Sequence, residues 1–105
     1  MYPIDFGDAK RGHEQKGKRL GIVIGSPVTW STVTVVPTST RAAPAKFRPS
    51  LVIADRETVA LVDQMRSVDP DFFLGDRVDH LTARDMAQVE FAVAQWLDLR
   101  IELDY

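Results

Sequence analysis

The sequence predicts a mostly β fold of α+β type, a small barrel of short strands with one amphipathic helix packed on it near the C-terminus. Short runs rich in Val, Ile and Thr follow one another through the first two thirds of the chain, separated by Gly, Pro and polar clusters. One of these runs alternates strictly, Thr32, Thr34 against Val33, Val35, as a two-faced strand requires. Helical spacing is found only late, after Thr82.

Taken in order, Tyr2-Pro3-Ile4-Asp5-Phe6 reads as a short strand or its remnant. The stretch 10–19 is basic and punctuated by Gly12 and Gly17, so a loop is expected. Leu20-Gly21-Ile22-Val23-Ile24 is a buried strand ended by Gly25-Ser26-Pro27. A second strand covers 30–36, and Pro37, which has no N–H to give to a ladder, is expected to break it or stand at its end. Residues 41–46 form a surface loop. Strands are expected at 47–53 and 58–65 with a polar turn at 54–57, and a connector at 67–75. Thr82-Ala83-Arg84-Asp85 resembles a capping box with Asp in the Glu position. Beyond it Met86, Val89, Val93, Trp96 and Leu97 share one helical face, while Arg84, Gln88 and Gln95 take the other. Trp96 is read as packing that helix onto the sheet.

Length and composition narrow the function. The chain has 105 residues, one domain's worth over 1–105, and a domain this size buries so modest a fraction of its surface that dimerisation would help it. No run of about eighteen apolar residues offers a membrane span, and the N-terminus carries no signal-peptide pattern, so a cytoplasmic address is expected. Cysteine is absent, which excludes a disulfide frame, a thiol nucleophile and a thiolate metal site. The net charge is −2, but it is unevenly spread. Residues 1–53 hold eight Lys/Arg against three Asp/Glu, and residues 54–105 five against twelve. The basic half can supply a phosphate-binding face, unless folding intermixes the two halves.

Few chemistries remain. His13 and His80 are far apart and neither has a second ligand at a recognised spacing. Asp63, Asp69, Asp71, Asp76 and Asp79 follow no cation-loop pattern. No metal or other cofactor is therefore expected. Glycine-rich nucleotide loops and a nucleophile elbow are also lacking. Three groups stand out instead: the loop with His13, Glu14, Lys16, Lys18 and Arg19, the hydroxyls Thr38, Ser39 and Thr40, and the segment Asp63-Gln64-Met65-Arg66-Ser67. Cleaving RNA without a metal needs little more. The 2′-hydroxyl is an internal nucleophile. The protein must accept its proton, stabilise the phosphoryl oxygens and protonate the leaving 5′-oxygen. An Arg is a fixed, permanently charged fork for those oxygens.

These residues also resemble a known family. Gly12-His13-Glu14-Gln15-Lys16-Gly17-Lys18-Arg19 before a strand is similar to the Gly-x-Glu-Gln-x-Gly-x-Arg-Pro loop of MazF/PemK/Kid toxins. Val35-Val36-Pro37-Thr38-Ser39 resembles their Val-Pro-x-Thr-Ser/Thr strand end, and Val62-Asp63-Gln64-Met65-Arg66-Ser67-Val68-Asp69 their Asp-Gln-x-Arg-Ser/Thr-Ile-Asp segment. The resemblance implies an SH3-like barrel of CcdB/PemK type, a homodimer, and a toxin restrained by a MazE-like antitoxin. It also implies cleavage of single-stranded RNA to a 2′,3′-cyclic phosphate and a 5′-hydroxyl, and so growth arrest.

By the same resemblance Arg19 matches the catalytic Arg, Ser39 the catalytic hydroxyl (Thr38 if the register shifts by one), Glu14 the residue supporting the Arg, and Asp63 a candidate base. His13, Lys16, Lys18, Thr40, Arg41, Gln64 and Arg66 are candidate RNA contacts. Structural roles stay open beside these, an ion pair for Glu14 and a hydrogen-bonded carboxylate for Asp63. The chain departs from the pattern in four places. The usual first strand is not recognisable, so a misassigned start or a lost edge is expected. Leu20 replaces a Pro, Leu61 stands where Kid-like members carry an Arg, and the loop at 26–31 is short. A non-catalytic, CcdB-like gyrase binder and a degenerate inactive member are the competing readings; neither needs the set Glu14, Arg19 and Ser39.

Overall fold

The computed structural model describes residues 1–6, 18–25, 32–53, 55–78 and 81–99, together with all their side chains except that of Lys18. The candidate residues His13, Glu14 and Lys16, the shortened loop at 26–31 and His80 lie outside the described residues.

Six strands form one antiparallel sheet among the described residues: β1 (Tyr2–Asp5), β2 (Lys18–Ile24), β3 (Val33–Ser39), β4 (Ser50–Ile53), β5 (Arg56–Ala60) and β6 (Arg66–Val68), followed by α1 (Ala83–Trp96). The spatial order is β1-β2-β3-β5-β4, with β6 also paired to β3. The hydrogen-bonded ladder does not close into a ring, so the expected barrel is an open sheet. One bridge, Ile4 to Phe73, brings the segment after β6 back onto the outer edge of β1 without extending into a ladder. The short strand or remnant expected at 2–6 is present as β1. Tyr2 pairs with Gly21 and Asp5 with Lys18, so β1 covers the edge of β2.

Strand β3 organises the molecule. Its outer half, Val33 to Val35, pairs with β6, and its inner end, Thr38 and Ser39, pairs with β5 along the same edge. Pro37 sits where one partner hands over to the other. Its carbonyl accepts the Leu61 N–H at 2.8 Å, and the donor it lacks faces the same gap, so no ladder bond is forfeited. This corrects the expected end of the strand, which continues through Pro37 to Ser39. The expected strand at 58–65 is likewise divided. It ends at Ala60, a 3-10 turn occupies Val62–Gln64, and the chain resumes as β6 inside the predicted connector. The turn before β5 is tighter than expected, with Ile53 directly opposite Arg56 and Asp55 at φ 63°, a left-handed conformation that Asp tolerates better than most residues.

The alternation of β3 separates two apolar clusters. Val35 joins Ile4, Phe6 and Val68 on one face. Val36 joins Ile22, Leu51, Val62 and the α1 residues Val89 and Ala92 on the other. Thr82 caps α1 by accepting the Asp85 N–H at 3.1 Å, the forward half of the predicted box. Met86, Val89 and Val93 face the core as predicted, while Trp96 and Leu97 stay partly exposed. Trp96 packs edge-on against Phe47, 5.1 Å between ring centroids, so it docks on the hairpin at 45–48 and not on the sheet. No described helix is long and apolar enough to cross a membrane.

Candidate active site

The antiparallel pairing of Gly21 with Pro37 sets the start of β2 beside the end of β3. Arg19 and Leu20 therefore meet Thr38 and Ser39, although 18 or more residues separate them in the chain. Together with Thr40, Ile53, Arg56 and Thr58 they line one open cavity of about 360 Å³. Among the described residues, two guanidinium groups and no carboxylate belong to that lining. The described lining is thus positive within a chain that is acidic as a whole, and an anionic ligand is favoured against it.

The two strand-end hydroxyls differ in their bonding. Thr38 donates its proton to the Leu20 carbonyl at 2.7 Å, and the Arg19 Nη1 approaches the Thr38 carbonyl at 3.5 Å. Ser39 accepts two N–H groups, from Arg41 and Ala42, both at 3.1 Å. Both side chains are more than nine-tenths buried. With two donors on its oxygen, Ser39 keeps its own O–H proton for a ligand, whereas Thr38 has spent its proton on the backbone. Thr40 lines the cavity and is exposed. Arg41 is exposed beside it and contributes its backbone N–H to Ser39.

Other expected residues are placed elsewhere. Asp63 is held by Arg48 through two parallel bonds, Nε to Oδ1 at 2.9 Å and Nη2 to Oδ2 at 2.8 Å. Those bonds hold the Asp63 carboxyl below the usual carboxylate range and raise the Arg48 guanidinium; partial desolvation opposes both shifts. Gln64 follows in the 3-10 turn, where its N–H bonds the Leu61 carbonyl at 2.9 Å. Neither Asp63 nor Gln64 lines the cavity with Arg19. Arg66 lies over the Phe6 ring at 4.6 Å, donates to the Phe6 carbonyl at 3.0 Å, and lines a separate cavity of about 320 Å³ with Asp5, Asp69 and Phe72. Sequence reasoning missed Arg48 and Arg56. Both are ordinary surface-type residues in one dimension, and only strand pairing reveals what they face.

The Arg48–Asp63 pair predicts an acid-sensitive step. A carboxyl whose folded pKa is depressed stabilises the fold in full above its unfolded value, about 3.9. That contribution fades as pH falls from there through the lower folded value. Thermal melts between neutral pH and pH 3 should show a loss in the wild type that Asp63→Asn lacks. Parallel acid profiles for the two proteins would remove the pair as its cause.

Comparison with known proteins agrees with this geometry. Residues 1–97 match the family model described as PemK-like, MazF-like toxin of type II toxin–antitoxin system. A curated Mycobacterium tuberculosis protein, whose name reads "putative toxin", is 53% identical over 100 residues, 94% of either chain. MazF from Deinococcus radiodurans superposes with a TM-score of 0.79 at 22% identity, over 93% of this chain and 92% of that one. A mycobacterial endoribonuclease solved with its cognate antitoxin gives 0.75 at 18% identity, over 96% and 93%. At such identities the two solved structures speak for the fold alone. The family match over nearly the whole chain, the relative at over half identity and the shared fold together place this chain in the PemK-like, MazF-like toxin family of type II toxin–antitoxin systems.

Proposed function

We propose that this toxin is a metal-independent endoribonuclease that cuts single-stranded RNA to a 2′,3′-cyclic phosphate and a 5′-hydroxyl, and so arrests growth. One observation carries the reading: Arg19 and the strand-end hydroxyls, remote in sequence, share one cationic cavity. A phosphodiester placed there meets a guanidinium on one side and the Ser39 O–H on the other. The 2′-oxygen attacks phosphorus as it loses its proton, negative charge grows on the non-bridging oxygens, and the 5′-oxygen leaves with a proton. Arg19 stabilises that charge, and Ser39 donates a hydrogen bond to it. Asp63, already shared with Arg48, is a weakened base. Its geometry favours the structural alternative left open by the sequence. Glu14, five positions before Arg19 in the sequence, is the remaining carboxylate candidate for the proton.

The partners belong to the same proposal. The solved neighbour bound to its cognate antitoxin supports an antitoxin here, and a cationic groove suits an acidic, extended segment in place of RNA. Phe91 in α1 and Leu97 and Leu99 just beyond it are exposed, which supports a homodimer. A cytoplasmic address follows from an RNA target.

The test incubates purified protein with RNA in EDTA and maps the 5′-hydroxyl ends. Discrete cuts are expected. Ser39→Ala should lower kcat roughly 10²-fold, the scale of one lost donor to a developing oxyanion, whereas Thr38→Val should affect stability more than kcat. Uncut RNA across several sequences, with the protein folded, would overturn the reading.

A further inference from the structure

We infer that Arg56 is a second phosphate-binding residue of the same groove, holding the backbone phosphate next to the scissile one. The inference rests on the ribonuclease reading above. Its basis is the order of strands. β2 and β5 flank β3, so the buried Thr38 and Ser39 hydroxyls lie between Arg19 on one side and Arg56 on the other. Arg19 is level with Ser39 and Val59, and Arg56 stands three residues further along β5, so the backbones that carry the two guanidinium groups are roughly 14 Å apart. That distance suits successive phosphates of an extended strand better than a single one.

The Arg56 backbone is pinned while its head is available. Arg56 pairs with Ile53 across the tight turn at Asp55, and its carbonyl accepts the Thr58 hydroxyl at 3.2 Å. Its side chain is exposed at the cavity wall, and among the described residues no carboxylate or carbonyl engages the guanidinium. The contrast is Arg48, eight positions earlier, whose fork is fully occupied by Asp63. An Arg with no acceptor among the described residues, beside a cavity whose described lining holds hydroxyls and no carboxylate, is a site for a substrate anion. Because it contacts backbone and not base, Arg56 should contribute affinity without changing which sequence is cut.

The experiment uses the full chain with two probes. A mixed-sequence single-stranded DNA, which lacks the 2′-nucleophile, reports binding against salt concentration. A long natural RNA reports cleavage in EDTA. Arg56→Ala should weaken DNA binding about fivefold and reduce the slope of log K against log salt by about 0.7, the value for one phosphate contact on a single strand. It should raise KM by a similar factor, leave kcat near wild type and preserve the cut positions. Arg56→Lys should recover most of the slope. Arg84→Ala, which removes a charge from the exposed face of α1, should leave slope and KM unchanged. A wild-type slope in Arg56→Ala, or an equal loss in Arg84→Ala, overturns the inference while wild-type cleavage still supports the parent reading. A fall in kcat with KM unchanged also overturns it, because Arg56 would then act on the reacting phosphate. A wild-type protein that neither binds the DNA nor cuts the RNA removes both.

Discussion

Arg19→Ala is expected to abolish RNA cleavage, lowering kcat/KM by at least roughly 10²–10³-fold, and to release cells from growth arrest. The size follows from removing a charged donor aimed at oxygens that become more negative in the transition state. Half-buried at the start of β2, Arg19 supports no core cluster, so the fold should survive and melting should shift by only a few degrees. Arg19→Lys should restore little, because an ammonium is a point charge and cannot present two parallel N–H groups to a phosphoryl group. The pair of variants therefore separates geometry from charge. Cuts by folded Arg19→Ala at the wild-type rate and positions would strike Arg19 from the chemistry.

The largest structural effect is expected at Leu61. Kid-like relatives place an Arg at the matching position, which makes Leu61→Arg an obvious way to restore the family pattern. The structure predicts that it unfolds the protein. Leu61 is fully buried between β5 and the 3-10 turn, and its N–H is tied to Pro37. A guanidinium there loses its hydration with no described carboxylate left to meet it, since Asp63 is already occupied by Arg48. An uncompensated buried charge costs several kcal/mol, a large part of the 5–15 kcal/mol that holds a domain together. Leu61→Ala should be milder, about 2–5 kcal/mol for the cavity left behind. The measurement is chemical denaturation of the two variants beside wild type. A Leu61→Arg protein that unfolds at the wild-type denaturant midpoint would show that the side chain escapes to solvent, and the burial argument would fail.

Leu61 also shows how the candidate site could be only partly read in one dimension. Its departure from the pattern pointed to an incomplete Arg and Asp pair. Asp63 does have an Arg, but Arg48 supplies it from a hairpin fifteen residues away. The Arg19 and Ser39 match was legible because a loop leading into a strand and a Pro-terminated strand end are local patterns. Arg56 was not, because a residue at a tight turn shows nothing of what lies across the sheet. The error at Pro37 has the same origin. Proline forfeits a ladder bond only if its missing donor faces a regular partner, and here it faces a junction between two of them.

From the sequence by itself came the mostly β character, the late helix with its Thr82 cap and the core face of Met86, Val89 and Val93. The candidates Arg19 and Ser39 came from it as well, through the family resemblance. All depend on neighbours within one or two turns of helix or one strand, where periodicity and capping act directly. Tertiary structure alone decided that the sheet stays open, that β3 changes partner at Pro37, that Asp63 belongs to Arg48, and that Arg56 lines one cavity with Arg19. Those outcomes depend on register between distant strands. A shift of one residue would turn every side chain to the other face, and composition contains no record of it.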